Sequence, residues 1–159
     1  RKPGTIKKRY TALVHGDWPV DLIDIDQPLK TFSNQGRERW TKVSESGKNA
    51  KTSFRKLFGT EEFSLIEAFP KTGRTHQIRV HLKYKGVSLL GDNQYGKKNI
   101  KFKKINQNFL NHLKEVKGQT LHAQTLKFIH PTKKKWIEFK SETPPDFKKM
   151  LNLLNKLSS

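Results

Sequence analysis

The stretch KTGRTHQIRVHLKYKG, residues 71–86, crowds two arginines, two histidines and three lysines around a few apolar side chains. Those apolar side chains recur at every second position, at Ile78, Val80, Leu82 and Tyr84. That period alone favours a strand. Against it, Thr75 is a good N-cap, Gly86 is a good C-terminal stop, and the residues between them tolerate a helix. We predict a helix between Thr75 and Gly86.

On such a helix the basic side chains of this stretch share one face. Arg79 lies three residues after His76 and four before Lys83, and Arg74 lies at the helix entrance, where backbone N–H groups point outward. This face could hold phosphates, could pair an arginine with a carboxylate in bidentate fashion, or could be a solvated basic surface. His76 and His81 diverge by roughly 140° on a helix, which does not fit helical zinc ligands, so we predict no metal site.

The overall charge points to a polyanionic partner. The 159 residues contain 33 Lys and Arg against 14 Asp and Glu, a formal net charge of +19. No basic amphipathic helix with a wide apolar face occurs in the first two-thirds of the chain, so nucleic acid is favoured over an acidic membrane. A generally lysine-rich proteome is the alternative explanation of the excess. The absence of cysteine excludes disulfides, thiolate nucleophiles and Cys-based zinc sites.

Several other classes of protein are disfavoured by missing patterns. No apolar run approaches about 18 residues and no leader with a cleavage site is present, so we expect neither a transmembrane span nor a secretory signal, and a cytoplasmic protein. No glycine-rich phosphate loop, serine nucleophile elbow or dinucleotide fingerprint occurs. We therefore predict no cofactor.

Outward from residues 71–86, the patterns predict a chain rich in short strands. Alternating and β-branched residues predict strands at 8–16, 40–43, 50–58 and from 63 onward, with an edge strand or bulge at 20–25. Together these segments indicate an antiparallel meander. Further predicted elements are a tight turn at 91–96, an exposed lysine-rich loop at 97–104, helical turns at 109–116, a hairpin of 120–131 with 134–140, and an amphipathic helix at 144–157.

The motifs are specific enough to resemble a known family. Residues 71–96, KTGRTHQIRVHLKYKGVSLLGDNQYG, closely resemble the GRTHQIRVHL and GDxxYG segments of the large-subunit class of RNA pseudouridine synthases. Residues 8–16, KRYTALVHG, and 121–147, beginning LHAQTLKFIHP, resemble the flanking motifs of that family. Residues 32–54 are similar to the intervening strands of its ribosomal large subunit pseudouridine synthase C group. The resemblance implies isomerisation of specific uridines to pseudouridine in 23S ribosomal RNA, with no cofactor or metal.

The resemblance also implies roles for individual residues. Tyr10 matches the active-site tyrosine, which would stack on the uracil and help to remove its C5 proton. Arg79 matches the arginine that would pair with the catalytic aspartate. The residues expected to bind substrate are Arg74, His76, Ile78 and Lys83. The residues expected to form an RNA-binding surface are Lys97, Lys98, Lys101, Lys103 and Lys104.

One departure from the family pattern is serious. The family's nucleophilic aspartate lies in an HRLDxxTSG segment before the tyrosine strand, and residues 1–159 contain no such segment. Asp92 is expected only to cap or hold its turn. We therefore expect one α+β domain with a mixed, mostly antiparallel sheet and flanking helices, forming the C-terminal portion of a synthase catalytic domain. The nucleophile segment and any N-terminal RNA-binding domain would lie upstream, and the fragment alone would be inactive.

That expectation has further consequences and two competing interpretations. Splitting a sheet leaves an unpaired edge, so we expect the missing N-terminal segment or a second copy of the chain to cover it. The first alternative is a non-catalytic basic RNA-binding module that has lost the nucleophile. The second is a basic structural protein associated with the ribosome, which would leave Tyr10 and Arg79 without a role.

Overall fold

The computed structural model describes residues 6–19, 22–59, 61–97, 121–129 and 132–140. Within these ranges the chain forms one helix and nine strands. In chain order they are β1 (Ile6–His15), β2 (Ile23–Asp26), β3 (Leu29–Asn34), β4 (Glu38–Val43), β5 (Lys51–Gly59), β6 (Phe63–Pro70), α1 (Gln77–Lys85), β7 (Ser88–Leu89), β8 (Leu121–Ile129) and β9 (Trp136–Lys140).

The strands form one large sheet and one separate hairpin. The large sheet has the order β2-β5-β6-β1-β8-β9, with β7 also pairing with β1, while β3 and β4 pair only with each other in a two-stranded sheet. Every pairing among the described strands is antiparallel. The predicted α+β fold with a mostly antiparallel sheet is confirmed, as are the edge position of β2 and the β8–β9 hairpin. A simple meander is wrong, because β5 and β6 insert between β2 and β1.

The core lies between the centre of the sheet and α1. Alternate side chains of β1 and β6 point to one face, where they meet Phe54 of β5 and two helix residues, Ile78 and Leu82. Phe54 and Leu82 are fully buried. Side chains of this size each stabilise the fold by about 1.5–3 kcal/mol when fully buried. The sheet thus supplies a rigid platform on which α1 is held.

The helix confirms the prediction for residues 75–86 but begins one residue later than expected. Its N-cap is His76, in the left-handed conformation with φ 54° and ψ 24°, so Thr75 as N-cap is wrong. Gly86 ends the helix with φ 85°, and its N–H reaches the carbonyls of Leu82 and Lys83. This is the left-handed C-terminal residue for which glycine is favoured.

The two-residue apolar period, which suggested a strand, has a tertiary cause. Ile78 and Leu82 pack into the main core, whereas Val80 packs into a second cluster with Leu29 and Ala50. A helix buried on two sides shows apolar residues at positions that a one-sided helix would leave polar. Tyr84, the last residue of that period, is 55% exposed.

The remaining predicted elements divide between the described and undescribed parts of the chain. The turn at 91–96 is confirmed by hydrogen bonds from Asp92 N–H to the Leu89 carbonyl and from Gly96 N–H to the Asp92 carbonyl. The helical turns at 109–116, the amphipathic helix at 144–157 and all of the 97–104 loop except Lys97 lie outside the described residues. In the described part of the chain, no helix is long and apolar enough to cross a membrane.

Candidate active site

A cavity of about 290 Å³ opens where β1, the end of β6 and the N-terminus of α1 meet. The residues that line it are Lys8, Tyr10, Pro70, Thr72, Gly73, Arg74, His76, Gln77, Ile78 and Arg79. Five of the residues predicted to act in catalysis or substrate binding therefore share one cavity. The geometry brings together Tyr10, from near the start of the chain, and Arg79, from the basic stretch at 71–86.

Tyr10 reaches the cavity because of its position on β1. It pairs with Ala68 of β6 and Ala123 of β8, and the register of β1 against β8 shifts between Arg9 and Tyr10. Lys8 lies two residues before Tyr10 and lines the same cavity. Sequence reasoning missed Lys8, although the alternation of strand side chains puts residues two apart on one face.

Arg79 makes a bidentate ion pair with Asp92. Its Nε donates to Oδ2 and its Nη2 donates to Oδ1, both at 2.8 Å, and only 12% and 1% of the two side chains are exposed. A bidentate arginine–carboxylate pair was one of three possibilities that the sequence left open for this face, and for Arg79 it is the one observed, with Asp92 as the partner. Arg79 Nη1 makes no hydrogen bond to any residue in the described part of the chain. The pairing with a catalytic aspartate, which the family resemblance implied, remains a prediction.

Asp92 also holds its own turn, as predicted. Its Oδ1 accepts hydrogen bonds from the backbone N–H groups of Gln94 and Tyr95, each at 3.1 Å. Burial alone would raise the pKa of Asp92, but hydrogen bonds from Arg79 and these N–H groups, together with the charge of Arg79, hold the pKa below its usual value. Asp92 is therefore ionised at neutral pH, and its hydrogen bond in turn raises the pKa of Arg79.

His76 is held by a tyrosine that sequence reasoning did not select. Its Nδ1 lies 2.6 Å from the hydroxyl of Tyr95, and that hydroxyl also accepts a hydrogen bond from Thr41 N–H at 2.9 Å. The guanidinium of Arg79 lies over the Tyr95 ring, 4.7 Å from its centre. Burial, followed by the charge of Arg79, lowers the pKa of His76. His76 is therefore neutral at pH 7.

Gln77 fixes the loop that carries Arg74. Its Oε1 accepts hydrogen bonds from Thr72 Oγ1 at 2.7 Å and from Arg74 N–H at 3.1 Å. Its Nε2 donates to Lys51 O at 3.0 Å and to Thr52 Oγ1 at 2.9 Å. Every hydrogen-bonding atom of this 4% exposed amide is thus used to tie the cavity wall to β5. Only the three-dimensional structure brings these partners together.

His81 extends this network away from the cavity. Its Nδ1 lies 2.8 Å from Thr52 Oγ1, and its Nε2 lies 3.0 Å from the carbonyl of Gln27. The side chain is fully buried, and this burial lowers its pKa. His81 is therefore a neutral structural residue behind the cavity wall. Among the described residues, no group of three or more His, Cys, Asp and Glu could hold a metal ion.

A second, larger groove of about 580 Å³ adjoins the cavity. It runs between the β3–β4 hairpin and the loop at 73–75, and Gly73 and Arg74 line both spaces. Its basic lining residues are Lys30, Arg39, Lys48 and Arg74. Phe32, also in the lining, stacks on Trp40 with ring centres 5.7 Å apart. A basic groove that contains a half-buried aromatic side chain is suited to a nucleic acid backbone and its bases.

Comparison with known proteins identifies the family. A family model described as RNA pseudouridylate synthase matches residues 2–84, which is just over half of the chain. The chain belongs to the RNA pseudouridylate synthase family. The match contains Tyr10, the loop at 71–76 and the helix up to Tyr84, so it spans the whole lining of the cavity.

Relatives of this family member carry consistent names. It is 39% identical over 153 residues to an uncharacterized RNA pseudouridine synthase of Bacillus subtilis (strain 168), covering 96% of this chain and 45% of that protein. It is 37% identical over 153 residues to ribosomal large subunit pseudouridine synthase C of Buchnera aphidicola subsp. Schizaphis graminum, covering 94% of this chain and 46% of that protein. The chain thus spans about half the length of these relatives. The family resemblance seen in the sequence is confirmed.

A solved structure supports the fold of the chain. Human RNA pseudouridylate synthase domain containing 4 superposes with a TM-score of 0.69 at 23% sequence identity, covering 94% of this chain and 62% of that one. At this level of identity the likeness establishes the fold and nothing finer. The predicted fold class is confirmed by this comparison as well as by the sheet itself.

Not all predicted site residues of the chain lie at the cavity. Lys83 is exposed on α1 and does not line the cavity, because it lies one turn beyond Arg79 towards the helix end. Lys97 is exposed, and its backbone N–H donates to Ser88 Oγ at 2.7 Å. The other four residues of the predicted RNA-binding surface, Lys98, Lys101, Lys103 and Lys104, lie outside the described residues.

Proposed function

We propose that the protein containing this chain isomerises specific uridines to pseudouridine in large-subunit ribosomal RNA. The observation that carries the proposal is the cavity in which Tyr10 and Arg79 meet inside the segment matched by the RNA pseudouridylate synthase family. The reaction breaks the bond between uracil N1 and ribose C1′, turns the base and forms a bond between C5 and C1′. The C5 proton is released to solvent and N1 takes up a proton, so atoms and charge balance. It needs no redox partner, because the product is an isomer of the substrate.

Tyr10 and Arg79 have distinct roles in this proposal. The Tyr10 ring would stack on the uracil, and its hydroxyl would lie near the C5 proton that must leave. Arg79 would hold the nucleophilic aspartate ionised and aimed at the ribose or base. Asp92 occupies the Nε and Nη2 edge of the guanidinium, so Nη1 is the nitrogen left for that second carboxylate. Ile78 would supply an apolar wall.

The basic groove fits the need to extract a base from its stack. A uridine within folded RNA must be flipped out of its stack, which costs a few kcal/mol and requires a grip on the flanking backbone. The groove lined by Lys30, Arg39 and Lys48 continues from the cavity through Arg74, so flanking nucleotides could follow it. In this proposal Lys83 and the lysines of 97–104 contact more distant phosphates. A substrate of this kind fits a cytoplasmic location.

We further propose that the nucleophilic aspartate lies in a segment upstream of Arg1, and that residues 1–159 alone are inactive. In support, the chain spans only 45% of its Bacillus subtilis relative. In the described sheet, the outer strands β2 and β9 each have a neighbour on one side only. An upstream segment, or a second copy of the chain, could cover one of these edges.

Tritium release from large-subunit ribosomal RNA labelled at uridine C5 tests the proposal, with the complete gene product as enzyme. The wild type should release tritium. Arg79→Ala should abolish release while RNA binding weakens only modestly, since one cation among many is removed. Lys85→Ala, which removes an exposed cation from the same helix, is the matched control and should retain turnover. Tritium release by Arg79→Ala at the wild-type rate would refute the role of Arg79.

The same assay separates the proposal from the competing function. RNA binding without any tritium release by the complete protein would favour a non-catalytic RNA-binding module. Replacing Lys97, Lys98, Lys101, Lys103 and Lys104 with alanine should lower the slope of log affinity against log salt by about 0.7–0.9 for each phosphate that these lysines neutralise. An unchanged slope would remove these lysines from the RNA interface.

A further inference from the structure

The Tyr95 hydroxyl sits at a junction between the cavity and the β3–β4 hairpin. On one side it lies 2.6 Å from His76 Nδ1, and on the other it is 2.9 Å from the backbone nitrogen of Thr41 in β4. Thr41 is 2% exposed, so its N–H has no ready exchange with water. A buried backbone N–H that bonds a side chain instead of a strand makes that side chain part of the local fold.

The number of hydrogen atoms at this junction determines which atom donates in each of the two hydrogen bonds of the Tyr95 hydroxyl. The Thr41 nitrogen carries a hydrogen and can only donate, so the Tyr95 oxygen accepts there. A phenol has one hydrogen to give, and the acceptor that lies within reach is His76 Nδ1. Nδ1 therefore carries no proton, and a neutral imidazole must then carry its proton on Nε2. The reverse arrangement would leave the phenol hydrogen without an acceptor among the described residues.

We propose that Tyr95 is a positioning residue that fixes His76 as the Nε2–H tautomer, so that this nitrogen is a hydrogen-bond donor available to the cavity. Through Thr41, the same hydroxyl couples the orientation of that donor to the position of the β3–β4 hairpin, which forms one wall of the basic groove. The expected effect on RNA rests on the proposed function. The tautomer itself does not.

Four contacts hold Tyr95 in place independently of its hydroxyl. The Asp92 carboxylate accepts the Tyr95 N–H at 3.1 Å, and the Arg79 guanidinium lies on the ring. The ring also packs on the cluster that contains Val80, and it meets the His76 ring edge-on with centres 5.4 Å apart. Removing the hydroxyl alone should therefore leave the ring where it is. That property makes Tyr95→Phe a clean perturbation.

The decisive measurement is the ¹⁵N spectrum of the His76 imidazole in the complete gene product at neutral pH. His76 is assigned by the signal that disappears in His76→Gln. The wild type should show an unprotonated Nδ1 and a protonated Nε2. Tyr95→Phe should move both nitrogens toward the values of an averaged tautomer, and amide exchange at Thr41 should become faster. Tyr84→Phe, which removes the hydroxyl of a 55% exposed tyrosine on α1, should change neither.

Steady-state kinetics supply a second test, because loss of a purely structural hydroxyl would not change KM while leaving kcat unaffected. If His76 donates to bound RNA, Tyr95→Phe should raise KM by about two- to tenfold, the range for one hydrogen bond, with kcat near the wild-type value. Equal losses in kcat and kcat/KM would overturn a ground-state role for the donor. Tyr84→Phe again serves as the control.

The outcomes separate this inference from the proposed function. A protonated Nδ1 in the wild-type spectrum would overturn the inference directly, and no variant is needed for that test. Unchanged His76 nitrogens and unchanged Thr41 exchange in Tyr95→Phe would also overturn it. If the wild type has the expected tautomer but releases no tritium, the proposed function fails while the assignment of Tyr95 stands.

Discussion

Replacing Asp92 with asparagine should destabilise the protein markedly, because Asp92 is the buried partner of Arg79. Asparagine keeps an oxygen at Oδ1, so the bonds from Gln94 N–H, Tyr95 N–H and Arg79 Nη2 can persist. At Oδ2 it puts an amide N–H against Arg79 Nε–H, so two donors face each other. The substitution therefore removes one charge-assisted hydrogen bond and the charge balance of the pair together.

The size of this effect follows from the exposure of the two side chains. Hydrogen bonds to charged groups contribute about 1.5–3 kcal/mol, and breaking a fully buried ion pair costs about 3–5 kcal/mol. The Asp92 side chain is 1% exposed, but the Arg79 side chain is 12% exposed and lines an open cavity, where water can solvate it. The lower part of the range therefore applies. We expect Asp92→Asn to lower the free energy of unfolding by about 2–3 kcal/mol.

Urea denaturation followed by tryptophan fluorescence measures the change, and the chain offers a matched control. Asp17 pairs with Lys56 at 2.6 Å, yet its side chain is 59% exposed. Asp17→Asn makes the same chemical change in a solvated ion pair and should cost less than about 1 kcal/mol. Equal losses for the two variants would refute the argument that burial makes the Arg79–Asp92 pair structurally important.

Two further predictions concern buried ionisable residues. Glu67 is 4% exposed between Arg9 and Arg55, so Glu67→Gln should lower the free energy of unfolding by about 1–2 kcal/mol, whereas exposed Glu38→Gln should be neutral in the same denaturation assay. Burial lowers the pKa of His81 in the folded chain. Below about pH 6.5 the unfolded chain therefore binds a proton that the folded chain does not, so the free energy of unfolding decreases as the pH is lowered. His81→Gln should make stability less dependent on pH between about 7.5 and 5.5, and an unchanged slope would contradict this.

Seven of the nine described strands were predicted from sequence, because period and turn signals are local, whereas β3 and the two-residue β7 were not. Gly86 ends α1 in the conformation that glycine favours. The order of strands was not predictable in this way. Whether β2 pairs with β5 or with β1 depends on which buried faces meet, and neither strand's own sequence records its neighbour.

The candidate site likewise has residues that local sequence patterns identify and contacts that they do not. Tyr10 and Arg79 were found because a motif carries them, and Lys8 could have been found from strand alternation. The pairing of Arg79 with Asp92 joins residues 13 positions apart, and the Tyr95 bond to Thr41 joins residues 54 apart. Such pairs depend on how the turn at 91–96 packs against α1 and β4. Sequence patterns predict the turn and the helix separately but not how the two pack together.

The charge of the cavity connects these results to the proposed reaction. Among the described residues, its lining contains three cations, Lys8, Arg74 and Arg79, and no carboxylate. Asp92 neutralises one of them from outside the lining, which leaves two uncompensated positive charges beside a half-buried tyrosine. A flipped nucleotide brings one phosphate charge, and a nucleophilic aspartate brings another. In the proposed reaction these two negative charges would balance the two cations, while Asp92 holds Arg79 in position without them.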